Sequence, residues 1–278
     1  MRFFVTGANG YLGARLYQDL KTHFETYGSY HKEPLFKELI KLDVSSEQEV
    51  VGAVDKVNPE IIVHAAAVPT PKAMSEDPEY ARRVNVEGTK NILRAASRVG
   101  AKVIYISTNG AIKPFDDYTR TKADSEKLVE RSKDYLIIRP ALVLGGSPNT
   151  TNDRQQNRFI KNILGTKEPV YDNSTQLQVT WIGHISEVIE LAAKRQVWGH
   201  TIPISAEDRK TRYEIARDVL GNFGVECAQT VDKPGGFLEQ GSEKLRELGF
   251  PVYDYGQVIE KTVAELRISI RDVEEKGN

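Results

Sequence analysis

The chain has 278 residues, 40% of them hydrophobic and 28% charged, enough to bury the core of one large α/β domain or of a domain with a small lobe. Its formal net charge of -1 offers no broad field to a nucleic acid or an anionic membrane, so any bound anion needs a local site. A single cysteine, Cys227, excludes an internal disulfide, and the five histidines show no metal-ligand spacing. No apolar run approaches the roughly 20 residues that span a bilayer, and together these features predict a cytoplasmic protein with no bound metal.

Arg2–Thr6 reads as a strand and residues 11–22 as an amphipathic helix. Strands follow over 24–30 and 40–43, then a helix over Glu47–Val57 with Ser45 and Ser46 as N-cap residues. Residues 60–66 form a strongly apolar fourth strand. One long helix is expected within 78–99, ending at Gly100. A fifth strand over 102–108, a helix over 118–132 and a sixth strand over 135–144 complete the pattern. Continuous apolar strands separated by helices predict a Rossmann-type, doubly wound parallel sheet. After Gly146 the texture changes. A polar loop over 147–157 leads to helices over 158–164, 186–195, 212–223 and 256–270, with short strands over 177–181 and 201–205. The division expected is a dinucleotide-binding domain over 1–146 plus about 178–200, and a smaller C-terminal substrate lobe over 147–177 and 201–278.

The first strand runs into Gly7-Ala8-Asn9-Gly10-Tyr11-Leu12-Gly13 and then a helix. Gly7 allows a tight turn, Gly10 a close approach of backbone to pyrophosphate, and Gly13 close packing of helix on strand. The helix N-terminus adds N–H groups and partial positive charge. Tyr-x-x-x-Lys places both side chains on one helix face, where an ammonium lowers the proton affinity of a phenol. The spacing occurs twice, as Tyr17/Lys21 and as Tyr118/Lys122. The first copy reads as ordinary surface or packing. The second follows Thr108, at the carboxyl end of strand five, where open α/β sheets bind ligands.

These motifs resemble the extended branch of the short-chain dehydrogenase/reductase superfamily, most of all its dTDP-4-dehydrorhamnose reductase group. The resemblance implies Thr108, Tyr118 and Lys122 as the catalytic set. It implies dinucleotide contacts from Gly7, Asn9, Gly10, Tyr11, Leu12 and Gly13, from Asp43-Val44, from Ala65-Ala66-Ala67 and from Asn85 in the N-x-x-G-T stretch, with Lys122 on the ribose. Arg139-Pro140-Ala-Leu-Val-Leu-Gly145 and Trp181-Ile-Gly-His184-Ile-Ser-Glu-Val188 are similar to two further family segments. His64 and His184 read as structural hydrogen-bonding groups. One departure matters. Only nine residues separate Thr108 from Tyr118, so an insert that shapes the substrate pocket in many members is missing.

The tip of strand two, Tyr30-His31-Lys32, carries no acid to grip the ribose hydroxyls, while His31 and Lys32 suit a 2′-phosphate. NADP(H) is therefore expected ahead of NAD(H). Arg154 and Arg158, four apart, are expected to share a helix face and meet a substrate diphosphate. The function implied is reduction of a 4-keto nucleotide sugar. A nucleotide-sugar 4-epimerase with tightly held NAD, and an NADP-binding regulatory subunit, stay open, as does a homodimer.

Overall fold

The computed structural model describes every residue except 70, 153, 166, 232–240 and 278, together with the side chains of all described residues outside 71–73 and 273–277. The chain divides into two compact units, Met1–Arg139 with Ser186–Ile202, and Pro140–Ile185 with Pro203–Asn278.

In the first unit, strands and helices alternate: β1 (Arg2–Thr6), α1 (Tyr11–Lys21), β2 (Glu25–Tyr30), β3 (Ile40–Lys41), α2 (Glu47–Val57), β4 (Ile61–His64), α3 (Pro71–Glu76), α4 (Pro78–Arg82), α5 (Gly88–Val99), β5 (Lys102–Ile106), α6 (Asp117–Val129) and β6 (Tyr135–Pro140). With His200–Ile204 they form a seven-stranded sheet in which β6, β5, β4, β1, β2 and β3 lie side by side in that order. Every pairing among these six is parallel. The chain starts in the middle of the sheet, winds out to β3, and returns to β4 on the other side of β1. That reversal opens a crevice at the carboxyl ends of β1 and β4, where Thr6 pairs with His64. Phe4, Ile62 and Val103 on the sheet meet Val50, Val54, Ile92 and Ala96 of α2 and α5 in one core.

One expectation gains a detail and two need correction. The long helix over 78–99 runs through to Gly100, with a π turn, Arg83–Glu87, between α4 and α5. The wider turn sends the Asn85 carbonyl to the hydroxyls of Thr89, at 2.6 Å, and Ser125, at 2.9 Å. Strand six also ends early. Pro140 has no N–H for a ladder, and the next N–H, that of Ala141, is taken by Thr180 Oγ1 at 2.9 Å. Leu142–Leu144 then pairs with Val179–Trp181 in the second unit. Finally, the helix expected over 158–164 begins at Gln155.

The second unit packs Phe159, Ile160, Val179, Ile215, Leu220 and Leu266 into a core of its own. Tyr17, of the first Tyr-x-x-x-Lys copy, is 2% exposed, with its hydroxyl on Glu38 and Lys21 over its ring. It is packing, as its place on α1 implies.

Candidate active site

The loop between β1 and α1 is built by its glycines. Gly7 sits at φ +69°, where a side chain is strained, and a Cβ would fall 2.7 Å from Ala66 Cα on the neighbouring strand's exit. A Cβ at Gly13 would stand 2.1 Å from the Gly7 carbonyl oxygen, so α1 can fold this close only with glycine. Gly10 differs: a Cβ there would meet only Gly7 O, at 3.3 Å. The protein's own packing does not demand glycine at that point. Gly10 is also the N-cap of α1, where no side chain caps the helix and the first turn holds no acid. An open backbone at the positive end of a helix suits a phosphate, and on these grounds the loop fits a dinucleotide. Tyr11 is buried and Leu12 half-buried in that first turn. Asn9 turns its side-chain oxygen to Leu35 N at 2.5 Å, fastening the segment after β2 to the glycine loop.

Beyond β2, His31 and Lys32 are exposed and Tyr30 half-buried. His31 Nε2 lies 3.8 Å from Asp43 Oδ2. The other Asp43 oxygen accepts from Ser45 N at 2.9 Å and Ser45 Oγ at 2.7 Å, which holds the turn into α2. Val44 packs against Gly88, where a Cβ would approach Val44 Cγ2 to 2.9 Å, and its carbonyl accepts from Asn91.

Under the crevice runs a buried polar chain. Thr89 Oγ1 donates to Asn85 O, so it must accept from His64 Nε2, 3.1 Å away. His64 Nδ1 is then the acceptor for the Thr6 hydroxyl at 2.7 Å, and Thr6 Oγ1 accepts from Ala66 N at 3.3 Å. Burial, helped by the Lys122 charge, pushes the His64 pKa down to about 3 and keeps this tautomer neutral. Ala65, Ala66 and Ala67 follow as half-buried residues beside the glycine loop. Asn85 accepts from Val68 N at 2.8 Å and donates to Val68 O and to Thr121 Oγ1 at 3.0 Å, tying that segment to α6. His184, in the second unit, donates from Nε2 to Pro251 O at 2.8 Å, and burial holds its pKa down at about 4.

Thr108 caps a short 3-10 turn, Asn109–Ala111, its hydroxyl accepting from Gly110 N at 3.4 Å. A Cβ on Gly110 would come within 2.4 Å of Thr119 Cγ2, so this turn is pressed onto the start of α6. A capping box between Asp116 and Thr119 fixes where that helix begins. Thr108 and the first turn of α6 are thus brought to the same end of the sheet. Tyr118 is half-buried there. Lys122, one turn on, is 3% exposed and makes no hydrogen bond to any described residue. Its Nζ lies 4.1 Å from the centre of the Tyr105 ring. Burial draws its pKa from 10.5 down to about 7, against an upward pull from Glu126. Glu126 is itself gripped at both oxygens by Arg139, at 2.9 and 2.5 Å. Sequence reasoning missed Tyr105 and Glu126. Glu126 had a signal, since it stands four residues beyond Lys122 on the same face; Tyr105 had none.

The second unit contains a cavity of about 520 Å³ lined by Arg158, Lys161, Asn162, Tyr171 and Arg212 among others. Arg212 makes no hydrogen bond to a described residue, and burial beside Arg158 disfavours its charge while Asp172 favours it. Tyr171 accepts from Asn162 Nδ2 at 2.8 Å, and burial pushes its pKa up to about 12. The expected pairing of Arg154 with Arg158 on one helix face does not occur. Arg154 is the N-cap, in extended conformation, and its carbonyl accepts a backbone hydrogen bond from Arg158 N at 2.9 Å. It does not line the cavity; Arg212, far along the chain, does.

Among the described residues no group of three or more His, Cys, Asp or Glu could hold a metal, and no helix is long and apolar enough to cross a membrane. A family model described as the RmlD substrate binding domain matches residues 1–234. Methionine adenosyltransferase 2 subunit beta of Xenopus laevis is 26% identical over 245 residues, 81% of this chain and 72% of that protein. The fold is shared with dTDP-4-dehydrorhamnose reductase from Bacillus anthracis str. Ames in complex with NADP, at a TM-score of 0.79 and 20% identity over 96% of this chain and 98% of that one. It is shared also with the UDP-glucose 4-epimerase of Thermus thermophilus in complex with NAD, at 0.80 and 21% identity over 96% and 99%.

Proposed function

This chain belongs to the RmlD substrate binding domain family, and from that premise we propose that it is an NAD(P)-dependent reductase of a 4-keto nucleotide sugar, of the dTDP-4-dehydrorhamnose kind. The observation that carries the reading is Lys122: a lysine buried one turn after Tyr118, with no hydrogen-bonding partner among the described residues and no carboxylate of its own. A charge placed so is costly to the fold and useful to a neighbouring phenol. Bound NAD(P)H supplies the hydride. The chain's own residues handle the proton. Tyr118 Oη donates it to the carbonyl oxygen, the Lys122 ammonium lowers the phenol's hold on it, and the Thr108 hydroxyl donates a hydrogen bond to the same oxygen. Lys122 would also hold the nicotinamide ribose. Within the second unit, Arg158, Lys161 and Arg212 line a cavity whose cations suit a diphosphate.

NADP(H) is the preferred cofactor, since the tip of β2 offers Lys32 and no acid before Glu33. The test of the reaction is Tyr118→Phe, which removes one oxygen and leaves the ring. Turnover of a nucleotide-sugar ketone falls by about a hundredfold or more, with cofactor affinity nearly intact. Near-normal turnover would remove Tyr118 from the chemistry. Purified protein that carries NAD and needs no added cofactor would instead favour an epimerase. A second reading, a binding subunit of a larger enzyme, is favoured by the match to methionine adenosyltransferase 2 subunit beta. It predicts dinucleotide binding with no turnover of any nucleotide-sugar ketone.

A further inference from the structure

The mechanism gives Lys122 a task but leaves open what holds its ammonium in place. No carboxylate bonds to it directly: both oxygens of Glu126 are committed to Arg139, and Glu126 acts on Lys122 only through its charge. Its Nζ instead lies over the face of Tyr105, on strand β5. That ring is 1% exposed and backed by the neutral imidazole of His64, whose centre is 5.7 Å away, so it cannot swing aside. We propose that Tyr105 is a positioning residue for Lys122: its π face, rather than an ion pair, fixes the ammonium in the buried site and favours its charged form. The catalytic consequence rests on the ketoreductase reading, but the contact itself does not.

The physical case is one of elimination. A largely buried ammonium is stabilised by an opposite charge or by an electron-rich surface. The titratable and charged groups that act on Lys122 or on the ring beneath it are His64 from β4, Tyr105 from β5, and Tyr118 and Glu126 from α6, with Arg139 of β6 bonded to Glu126. His64 is neutral and Arg139 is a cation. The Tyr105 hydroxyl, held protonated by burial, adds no anion. A π face attracts Lys122 without neutralising it, so its charge still reaches Tyr118.

The test separates ring electrons from ring shape. Lys122 is followed by NMR of its ¹³Cε-labelled side chain, titrated in the full chain with Tyr105, Tyr105→Phe, and Tyr105→pentafluorophenylalanine installed by amber suppression. Phe keeps the negative face; the fluorinated ring keeps the volume and loses that face. The expected result is a Lys122 titration close to wild type in Tyr105→Phe and about one pH unit lower with the fluorinated ring. Equal midpoints in the two rings, or a higher one with fluorine, overturn the proposal. The measurement needs no substrate, so it stands or falls apart from the assigned reaction. Where turnover is observed, the pH profile of kcat/KM moves with the NMR midpoint.

Discussion

Lys122→Met makes the cost of the candidate site measurable. Methionine is unbranched and close to lysine in length, so it can fill the same channel without a charge. In the wild type the lysine pKa is drawn from 10.5 to about 7 by burial. At about 1.4 kcal/mol per pH unit, keeping the charge inside costs about 5 kcal/mol. The Tyr105 ring, 4.1 Å from Nζ, belongs to the surroundings within which that cost is set. Removing Lys122 strands no carboxylate, because Glu126 keeps Arg139. The variant is therefore expected to be more stable than wild type at pH 6, by about 6 °C or more in Tm. The sign with pH follows from the depressed folded pKa. Between about pH 7 and 10.5 the unfolded chain binds the extra proton, so wild-type stability from this group rises with pH across that window. The variant has no such group. Scanning calorimetry from pH 6 to 9.5 should show its advantage shrinking steadily as the wild type sheds the buried charge. A constant gap, or a less stable variant at pH 6, would refute the idea that the charge is retained at the fold's expense.

The cavity of the second unit gives a binding prediction. Arg212→Ala is expected to weaken a nucleoside diphosphate by about tenfold to a hundredfold in calorimetric titration, as loss of charge-assisted hydrogen bonds implies, and Arg158→Ala by a comparable amount. Arg154→Ala serves as the control and should change little; an effect at Arg154 with none at Arg212 would put the phosphates elsewhere. For the cofactor, NADPH is expected to bind more tightly than NADH by fluorescence titration, with Lys32→Ala narrowing the gap. An unchanged ratio in that variant removes Lys32 from the selection.

Much of the first unit was legible because its chemistry is local. The glycine loop, the hydroxyl at the end of β5 and the Tyr118/Lys122 pair each depend on neighbours a few residues away, and the strand-turn-helix pattern places them at the carboxyl ends of the strands. The π turn was not legible. Nothing in the spacing of residues 83–87 marks it, since it exists to send the Asn85 carbonyl to Thr89 and Ser125, the latter on another helix. The end of β6 could have been read from Pro140, whose missing N–H breaks the ladder whatever apolar residues follow.

The arginines show where local reasoning stops. Four-residue spacing makes neighbours only when both residues are helical, and Arg154 is a cap with its backbone extended. A helix places its own side chains, but a cavity takes its walls from whatever the tertiary fold delivers. Arg212 reaches the pocket because its helix, Arg212–Leu220, packs on Val170–Asp172 and on the helix that carries Arg158. Its charge sits close enough to Arg158 for each to raise the cost of the other. Asp172 shares the cavity and favours the Arg212 charge, and the phosphates are proposed at Arg158 and Arg212, rather than at the pair that sequence spacing suggests, because both of these line the cavity and Arg154 does not.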